Sequence, residues 1–242
     1  MVLSSYAKIN LTLRVNSKGK NNLHEIQSYF CLVDLVDKIK IKKNKIKKDK
    51  IIFKGPFAKF VNKSSNSILI LLKLLRDTKM ISNYYSITVK KNIPVFAGLG
   101  GGTGNAVFVL KYLLKKKISK TLLSQVVAKI GSDFKLFYYK QGFLKNLNTI
   151  LKFRKKQNFF FVLIQPRIKC STKEIFSKVR NYSKKKAFEK YKLDTKLNFV
   201  NYLSQSRNEL QLIVEKKYPI VKKLLIDIKS ENGCHFSRMT GS

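Results

Sequence analysis

The residues with the clearest chemical potential are Pro94-Val-Phe-Ala-Gly98-Leu-Gly100-Gly101-Gly102-Thr103-Gly104-Asn105-Ala106, which hold five of the chain's 11 glycines between Gly98 and Gly104. A strand-like alternation, Ser86-Ile-Thr-Val-Lys90, precedes them, and a helical run from Ala106 to Lys117 follows. Strand, glycine loop and helix entrance together aim bare backbone N–H groups and the positive end of a helix dipole at an anion. Glycine suits such a loop because it accepts positive φ and places no Cβ in the way of an approaching oxygen. No Gly-Lys-Ser/Thr follows, so this is not a Walker A loop, and Thr103 breaks the dinucleotide fingerprint. A flexible turn would require neither this glycine density nor Thr and Asn at the helix entrance, so phosphate binding is the preferred reading.

Carboxylates are scarce, 13 Asp and Glu against 51 Lys and Arg. Asp133 stands apart because Gly131 and Ser132 precede it and an apolar, aromatic run (Phe134, Leu136, Phe137, Tyr138, Tyr139) follows. At the mouth of a buried strand it would accept a proton from a substrate hydroxyl; alternatively it is a turn or helix-end aspartate. Lys8, on its own, reads as one surface lysine among many. His24, one of two histidines, either bonds a ligand or caps a strand, and His235 is assigned no role. No cluster of His, Cys and carboxylates has metal-site spacing, so no metal ligand is assigned.

A net charge of +38 invites a nucleic-acid reading. The lysines, however, run along almost the whole chain together with abundant Ile, Asn, Phe and Tyr, all residues with A/T-rich codons. The charge therefore argues for non-specific attraction of polyanions only. No RNA-recognition aromatics accompany it, so a basic RNA-binding protein is retained as the reading from another class. The three cysteines (Cys31, Cys170, Cys234) lie far apart and fit a reducing compartment. No signal-peptide layout opens the chain, and its longest apolar runs (68–72 and 159–164) are too short for a bilayer, so a cytoplasmic chain without a membrane partner is expected.

The elements that must position these residues follow from periodicity. Residues 8–15 alternate, predicting one strand with Lys8 and Asn10 on the same face. Further strands are expected at 28–33, at 38–41 with a lysine fringe, and at 158–164 as a buried strand ending at Gln165-Pro166. Helices are expected at 67–76 with Ser64, Ser65 or Asn66 at its cap, from 106, at 121–130, from a capping box at Ser171-Thr172-Lys173-Glu174, and near 197–215 and 218–230. At 242 residues the chain suits one or two domains, and the segment 152–158 is the expected boundary, giving 1–155 and 156–242.

Four stretches together resemble the GHMP kinases: Ala7-Lys8-Ile9-Asn10-Leu11, the loop from Pro94 to Ala106, Gly131-Ser132-Asp133, and Ser237-Arg-Met-Thr-Gly-Ser242. Weaker matches are Asn66, Pro166 with Thr172 to Phe176, and Asn208-Glu209-Leu210. The resemblance implies an α+β fold, with a ribosomal-protein-S5-like N-terminal domain and a ferredoxin-like second domain whose last strand is expected to be missing. It implies an ATP-dependent small-molecule kinase with Mg²⁺ as cofactor. The nucleotide would lie on Pro94, Gly98, Leu99, Gly100, Gly101, Gly102, Thr103, Gly104 and Asn105, with Asn66 near it. Asp133 would be the base and Lys8 its countercharge. Lys8, Asn10 and His24 point to the branch acting on a cytidine diphosphate-linked polyol, in isoprenoid precursor synthesis. There Asn10, His24, Thr172 and Phe176 would hold that substrate, with Phe176 stacking on cytosine. Leu23 replaces an aromatic of that base sandwich, a stack worth roughly 1–3 kcal/mol. Lys135 replaces a proline after the aspartate, and Asn146-Leu-Asn-Thr149 replaces a small glycine turn. These departures keep two alternatives open: another GHMP-type kinase with a different alcohol, and a truncated pseudoenzyme.

Overall fold

The computed structural model describes residues 2–19, 24–115, 118–153, 157–188 and 195–241. They form two compact units that interleave in sequence. The first takes Met1–Lys8, Leu32–Val95 and Leu99–Tyr138; the second takes Ile9–Cys31, Phe96–Gly98 and Tyr139–Ser242. Leu23 and residues 154–156 of the expected boundary lie outside the described residues.

In the first unit, β4 (Lys50–Lys54) pairs parallel with β5 (Tyr84–Lys90), and β5 pairs antiparallel with the later half of β3 (His24–Asn44). Ile39 and Ile41 face inward opposite Val89 and Ile87, while Lys38, Lys40 and Lys42 take the outer face. The lysine fringe is thus the solvated side of a period-two strand. Against the inner face pack α1 (Ser67–Asp77), α2 (Gly101–Leu114) and α3 (Lys120–Ile130). Ile68, Leu71, Leu72 and Leu75 recur at helical spacing on α1 and are fully buried with Val107 and Leu110 of α2 and Val126 of α3. Asn66 caps α1, its Oδ1 accepting the Leu69 amide at 3.1 Å, and Ser119 caps α3 likewise.

In the second unit, Ser28–Cys31 of β3 pairs antiparallel with β6 (Gln141–Asn146), which turns at Leu147-Asn148 into β7 (Thr149–Lys152). Another antiparallel pair joins β2 (Arg14–Lys18) to the start of β3. Tyr29 is the hub of an aromatic core with Phe143, Phe153, Phe188, Phe199 and Tyr202, ring centroids 4.6–6.2 Å away. Among the described residues four helices follow in sequence: α4 (Thr172–Ser177), α5 (Lys196–Gln205), α6 (Gln211–Lys217) and α7 (Pro219–Ser230). Gln27 joins the backbone of Lys186 through both ends of its amide, so a buried polar side chain does the work of a strand rung.

Several expectations are corrected. The alternation at 8–15 is split between β1 (Val2–Asn10) and β2, because Leu11–Leu13 leave the ladder; the Leu13 N–H donates to the Arg207 carbonyl and its own carbonyl accepts from the Glu209 N–H. Alternation records which side chains are buried, not whether the backbone pairs continuously. The segment 158–164 is no buried strand: it has no ladder, and Phe160 is 96% and Val162 84% exposed. A strand needs a neighbouring edge for its N–H and C=O groups, and apolar composition supplies none. Among the described residues no strand follows β7, apart from the single bridge between Leu13 and Asn208. Asp133 opens a 3-10 helix, Ser132–Tyr138, rather than a strand.

Candidate functional site

The helix after the glycine loop begins inside the glycines rather than at Ala106. Gly100 is its N-terminal boundary residue, left-handed at φ 64°, and Gly101, Gly102, Thr103 and Gly104 form the first turn. The first intrahelical bond runs from the Gly104 N–H to the Gly100 carbonyl at 2.8 Å. Gly100 has no side chain to cap the helix, so it offers the N–H groups of Gly101, Gly102 and Thr103 no side-chain cap, and such an uncapped opening turn is suited to an anion. Tertiary contacts explain why residues of poor helix propensity open a helix here. A Cβ on Gly100 or Gly104 would meet the Phe137 ring at 2.8 Å, and one on Gly101 would meet Ile93 and the Lys91 ammonium at 3.0 Å. Leu99 is buried and its carbonyl accepts the Lys8 N–H at 2.9 Å, while Pro94 is half-buried at the exit from β5. Asn105 is buried, and its Oδ1 has no hydrogen-bond partner among the described residues.

Lys8 comes to this loop from the end of β1 within the first unit. Its Cε lies 3.7 Å from where a Gly100 Cβ would stand, and its Nζ reaches Asp133 Oδ2 at 2.9 Å. Lys8 is 2% exposed and Asp133 34%. The surface reading of Lys8 is therefore wrong: it is among the largest fully buried side chains. Burial of an ammonium costs several kcal/mol unless a counter-ion stands close, and Asp133 is that counter-ion. The aspartate keeps one side toward solvent, which suits a group that must meet an incoming hydroxyl. The 3-10 helix that carries it is fixed from below. Phe134 and Phe137 enter the core, and the Lys111 ammonium donates to the Phe137 carbonyl at 2.9 Å while lying over the Tyr138 ring. Desolvation pushes the Lys111 pKa down and the Tyr138 pKa up.

Asn66 is occupied as the α1 cap, and the next residue, Ser67, sets its hydroxyl 3.3 Å from where a Gly102 Cβ would stand. The first unit thus collects Lys8, Asp133, Gly100, Gly101, Gly102, Thr103, Asn66 and Ser67 around the opening turn of α2.

The residues assigned to the acceptor's cytidine end lie in the second unit. Asn10 is buried; its amide Nδ2 donates to Ser28 Oγ and its N–H to Thr240 Oγ1, both at 2.8 Å. The His24 ring sits 4.9 Å from Phe176 and 6.2 Å from Tyr182. Desolvation, helped by the Lys18 charge, lowers its pKa below 6.5, so the neutral imidazole prevails at pH 7. Ser171 caps α4 through the Glu174 N–H, as the capping box predicts, and Phe176 is carried on that helix. Thr172 is its exposed first residue. The terminal segment is pinned here too. Asn208 Nδ2 donates to the carbonyls of Met239 and Gly241, and the Arg238 guanidinium donates to those of Leu11, Leu203 and Ser206. Gly241, at φ 70°, has no room for a side chain, since its Cβ would stand 2.8 Å from Gly98 Cα.

Sequence reasoning did not find Asp37, Lys91, Ser67, Lys111 or Phe137. The available signal for Phe137 was the spacing of Gly100 and Gly104, one helical turn apart on one face. For Lys91 and Lys111 there was none, in a chain with 51 basic residues.

Comparison with known proteins identifies the family. The GHMP kinases N terminal domain matches residues 66–139, the stretch from the α1 cap through Asp133. The 4-diphosphocytidyl-2-C-methyl-D-erythritol kinase of Pelagibacter ubique is 38% identical over 245 residues, covering 99% of this chain and 85% of that protein. Its Wolbachia pipientis wMel counterpart is 30% identical over 249 residues, covering 98% and 84%. A crystal structure of 4-(cytidine 5'-diphospho)-2C-methyl-D-erythritol kinase superposes with a TM-score of 0.64 at 19% identity, over 95% of this chain and 83% of that one. A homoserine kinase from Cytophaga hutchinsonii shares the fold at a TM-score of 0.57 and 14% identity, over 97% and 79%. With an α+β GHMP-kinase fold and relatives of this identity along nearly its full length, the chain belongs to the 4-diphosphocytidyl-2-C-methyl-D-erythritol kinases, ATP-dependent small-molecule kinases of the GHMP family.

Proposed function

We propose that this chain transfers the γ-phosphoryl group of ATP to the 2-hydroxyl of 4-diphosphocytidyl-2-C-methyl-D-erythritol, a step of non-mevalonate isoprenoid precursor synthesis. The observation that carries the reading is the Lys8–Asp133 pair set beside Gly100 at the opening of α2. Phosphoryl transfer asks the protein for position and countercharge more than for covalent help. The amides of Gly101, Gly102 and Thr103 hold phosphate oxygens, with the α2 dipole behind them. Asp133 takes the proton of the acceptor hydroxyl as its oxygen bonds to Pγ. The bond from Pγ to the bridging oxygen breaks and its electron pair leaves with ADP. Lys8 keeps its proton and offsets the charge gathering on the acceptor oxygen and the transferred group.

The glycine turn suits close approach of phosphate oxygens, since three of its first four helical positions lack a side chain. Mg²⁺ would be held largely by the phosphate oxygens of the nucleotide and would supply countercharge there, since among the described residues no cluster of three His, Cys, Asp or Glu forms a cage of its own. Asn10, His24, Thr172 and Phe176 are assigned to the cytidine diphosphate end of the acceptor: neutral His24 offers one donor and one acceptor to a base edge, and Phe176 an aromatic face. The chain acts in the cytoplasm without a membrane partner. The test is ADP release by the purified protein with Mg-ATP and this acceptor, beside Asp133→Asn. Acceptor-dependent ADP from the wild type and a loss of about 10²-fold or more in the variant are expected. An Asp133→Asn variant as fast as wild type would remove the assigned base.

A further inference from the structure

Beneath the glycine turn lies a second buried ion pair that the reaction does not use. Asp37 is fully buried and Lys91 nearly so, their Oδ2 and Nζ 2.5 Å apart. The other carboxylate oxygen, Oδ1, accepts the N–H groups of Asn92 at 2.8 Å and Ile93 at 2.9 Å, and the Asn92 side chain donates to the Val36 carbonyl at 3.0 Å. The Lys91 N–H is itself fixed to the Lys54 carbonyl of β4 at 2.7 Å. One carboxylate therefore gathers the three residues at the exit of β5, immediately before Pro94. On the other side of that exit stands α2: the Lys91 ammonium and Ile93 Cγ2 each lie 3.0 Å from where a Gly101 Cβ would be.

A buried ion pair is poor evidence for stability, because apolar residues of similar volume do as well or better. An ammonium beside a helix N-terminus is also in the wrong place for the dipole. What this pair does control is the spacing between the strand exit and the first turn of α2, where Gly101 rests on Lys91 and Ile93. We infer that Asp37 and Lys91 are positioning residues for the nucleotide: together they set the height and tilt of the α2 opening turn, and so the aim of its amides at the phosphates of ATP. This rests on the ATP assignment above. It adds that the aim is set from behind by a charge pair that touches neither ATP nor acceptor.

The experiment replaces the pair with a neutral amide pair, Asp37→Asn with Lys91→Gln. The Asn keeps its oxygen for the two N–H groups, and its amide can donate to the Gln oxygen, so fold and hydrogen bonds survive while the charges and the longer lysine arm are lost. Melting temperature, KM for Mg-ATP, KM for the acceptor and kcat are measured beside wild type. The expected result is a melting temperature within about 3 °C of wild type, KM for ATP raised about tenfold or more, and an unchanged acceptor KM; sub-ångström misplacement of a bound reactant is enough for such a loss. The single variant Asp37→Asn strands the lysine charge and is expected to melt lower. If the double variant fails to fold, Asp37→Asn with Lys91→Met, which strands neither charge, is read in the same way. A folded variant whose ATP KM stays within about twofold of wild type overturns the inference and leaves the kinase assignment standing. Wild-type protein that neither binds nor turns over Mg-ATP overturns both.

Discussion

Replacing Lys8 with methionine removes a charge from a buried position while keeping an unbranched stem of similar length past Gly100. In the resting protein its ammonium stands 2.9 Å from Asp133 Oδ2. At an effective dielectric constant near 20 that is about 6 kcal/mol of gross attraction. Most of it is not net stability. The lysine gave up its hydration to be there, and Asp133, one-third exposed, recovers water when its partner goes. A net loss of about 1 kcal/mol, or about 2–4 °C in melting temperature for a chain of this size, is expected. In the transition state no water replaces the ammonium, because the reacting oxygens displace it. Loss of one placed cation there costs about 10²–10³ in kcat, or about 3–4 kcal/mol. The assay is coupled ADP release with Mg-ATP and acceptor, run on protein whose folded fraction is verified by its melting curve. Lys8→Met combined with Asp133→Asn should be little worse than the poorer single variant, since the two act as a unit. A folded Lys8→Met enzyme retaining kcat within about threefold of wild type would refute the assignment of Lys8 as countercharge.

Three further outcomes are expected. Gly100→Ala must hold alanine at φ 64° with its Cβ 2.8 Å from the Phe137 ring, so it should melt lower by about 1–3 kcal/mol of stability and lose ATP turnover, read by calorimetry and the same assay. For His24 the folded pKa is lowered from 6.5, so neutral imidazole persists below the pH at which an unfolded-chain histidine protonates. KM for the acceptor should be flat above pH 6.5 and rise as acid protonates the ring, and His24→Gln should abolish that rise. The same shift contributes stability that is fully present above pH 6.5 and lost as pH falls through the lowered folded pKa, and it is slight because the ring is only partly buried. Cys31 is buried with its thiol pushed up to about 12, whereas Cys170 and Cys234 are partly exposed. Iodoacetamide on native protein should therefore label Cys170 and Cys234 and spare Cys31, as peptide mass mapping would show.

The parts of this site that could be read from sequence are those whose signal is short-range. Five glycines within seven positions, with Thr103 and Asn105 among and after them, mark a glycine-rich helix entrance by local spacing alone. Where α2 starts could not be read that way, because glycine propensity argues against a helix while Phe137, Ile93 and Lys91 require that no Cβ be present. Asp133 was legible as a candidate and undecided as to role; what singles it out is Lys8, far away in sequence and indistinguishable there from any other lysine. The same holds for Glu209, whose carboxylate accepts the Val15 N–H at 2.7 Å and the Ser183 hydroxyl, tying a strand end to two distant segments. Residues 158–164 show the opposite failure: composition marked them for burial, but pairing depends on an edge that no local pattern encodes.

The charge of the chain can now be divided by what it does. Among the described residues two lysines are buried, Lys8 and Lys91, and each faces a carboxylate, Asp133 and Asp37. The fringe at Lys38, Lys40 and Lys42 lies in solvent, where fields fade over about 8 Å at physiological salt. Solvated lysines at such distances can draw polyanions toward the surface but cannot choose among them. A buried ammonium is screened far less, and its position is set by packing rather than by side-chain wandering. In the proposed mechanism that would let a single charge at Lys8 discriminate between a ground state and a transition state that differ by little more than where a proton and a phosphoryl group reside. The bulk basicity and the chemistry are therefore separate properties of this chain: dozens of surface lysines could change without touching the reaction, provided that the two buried ones and their carboxylates keep their places.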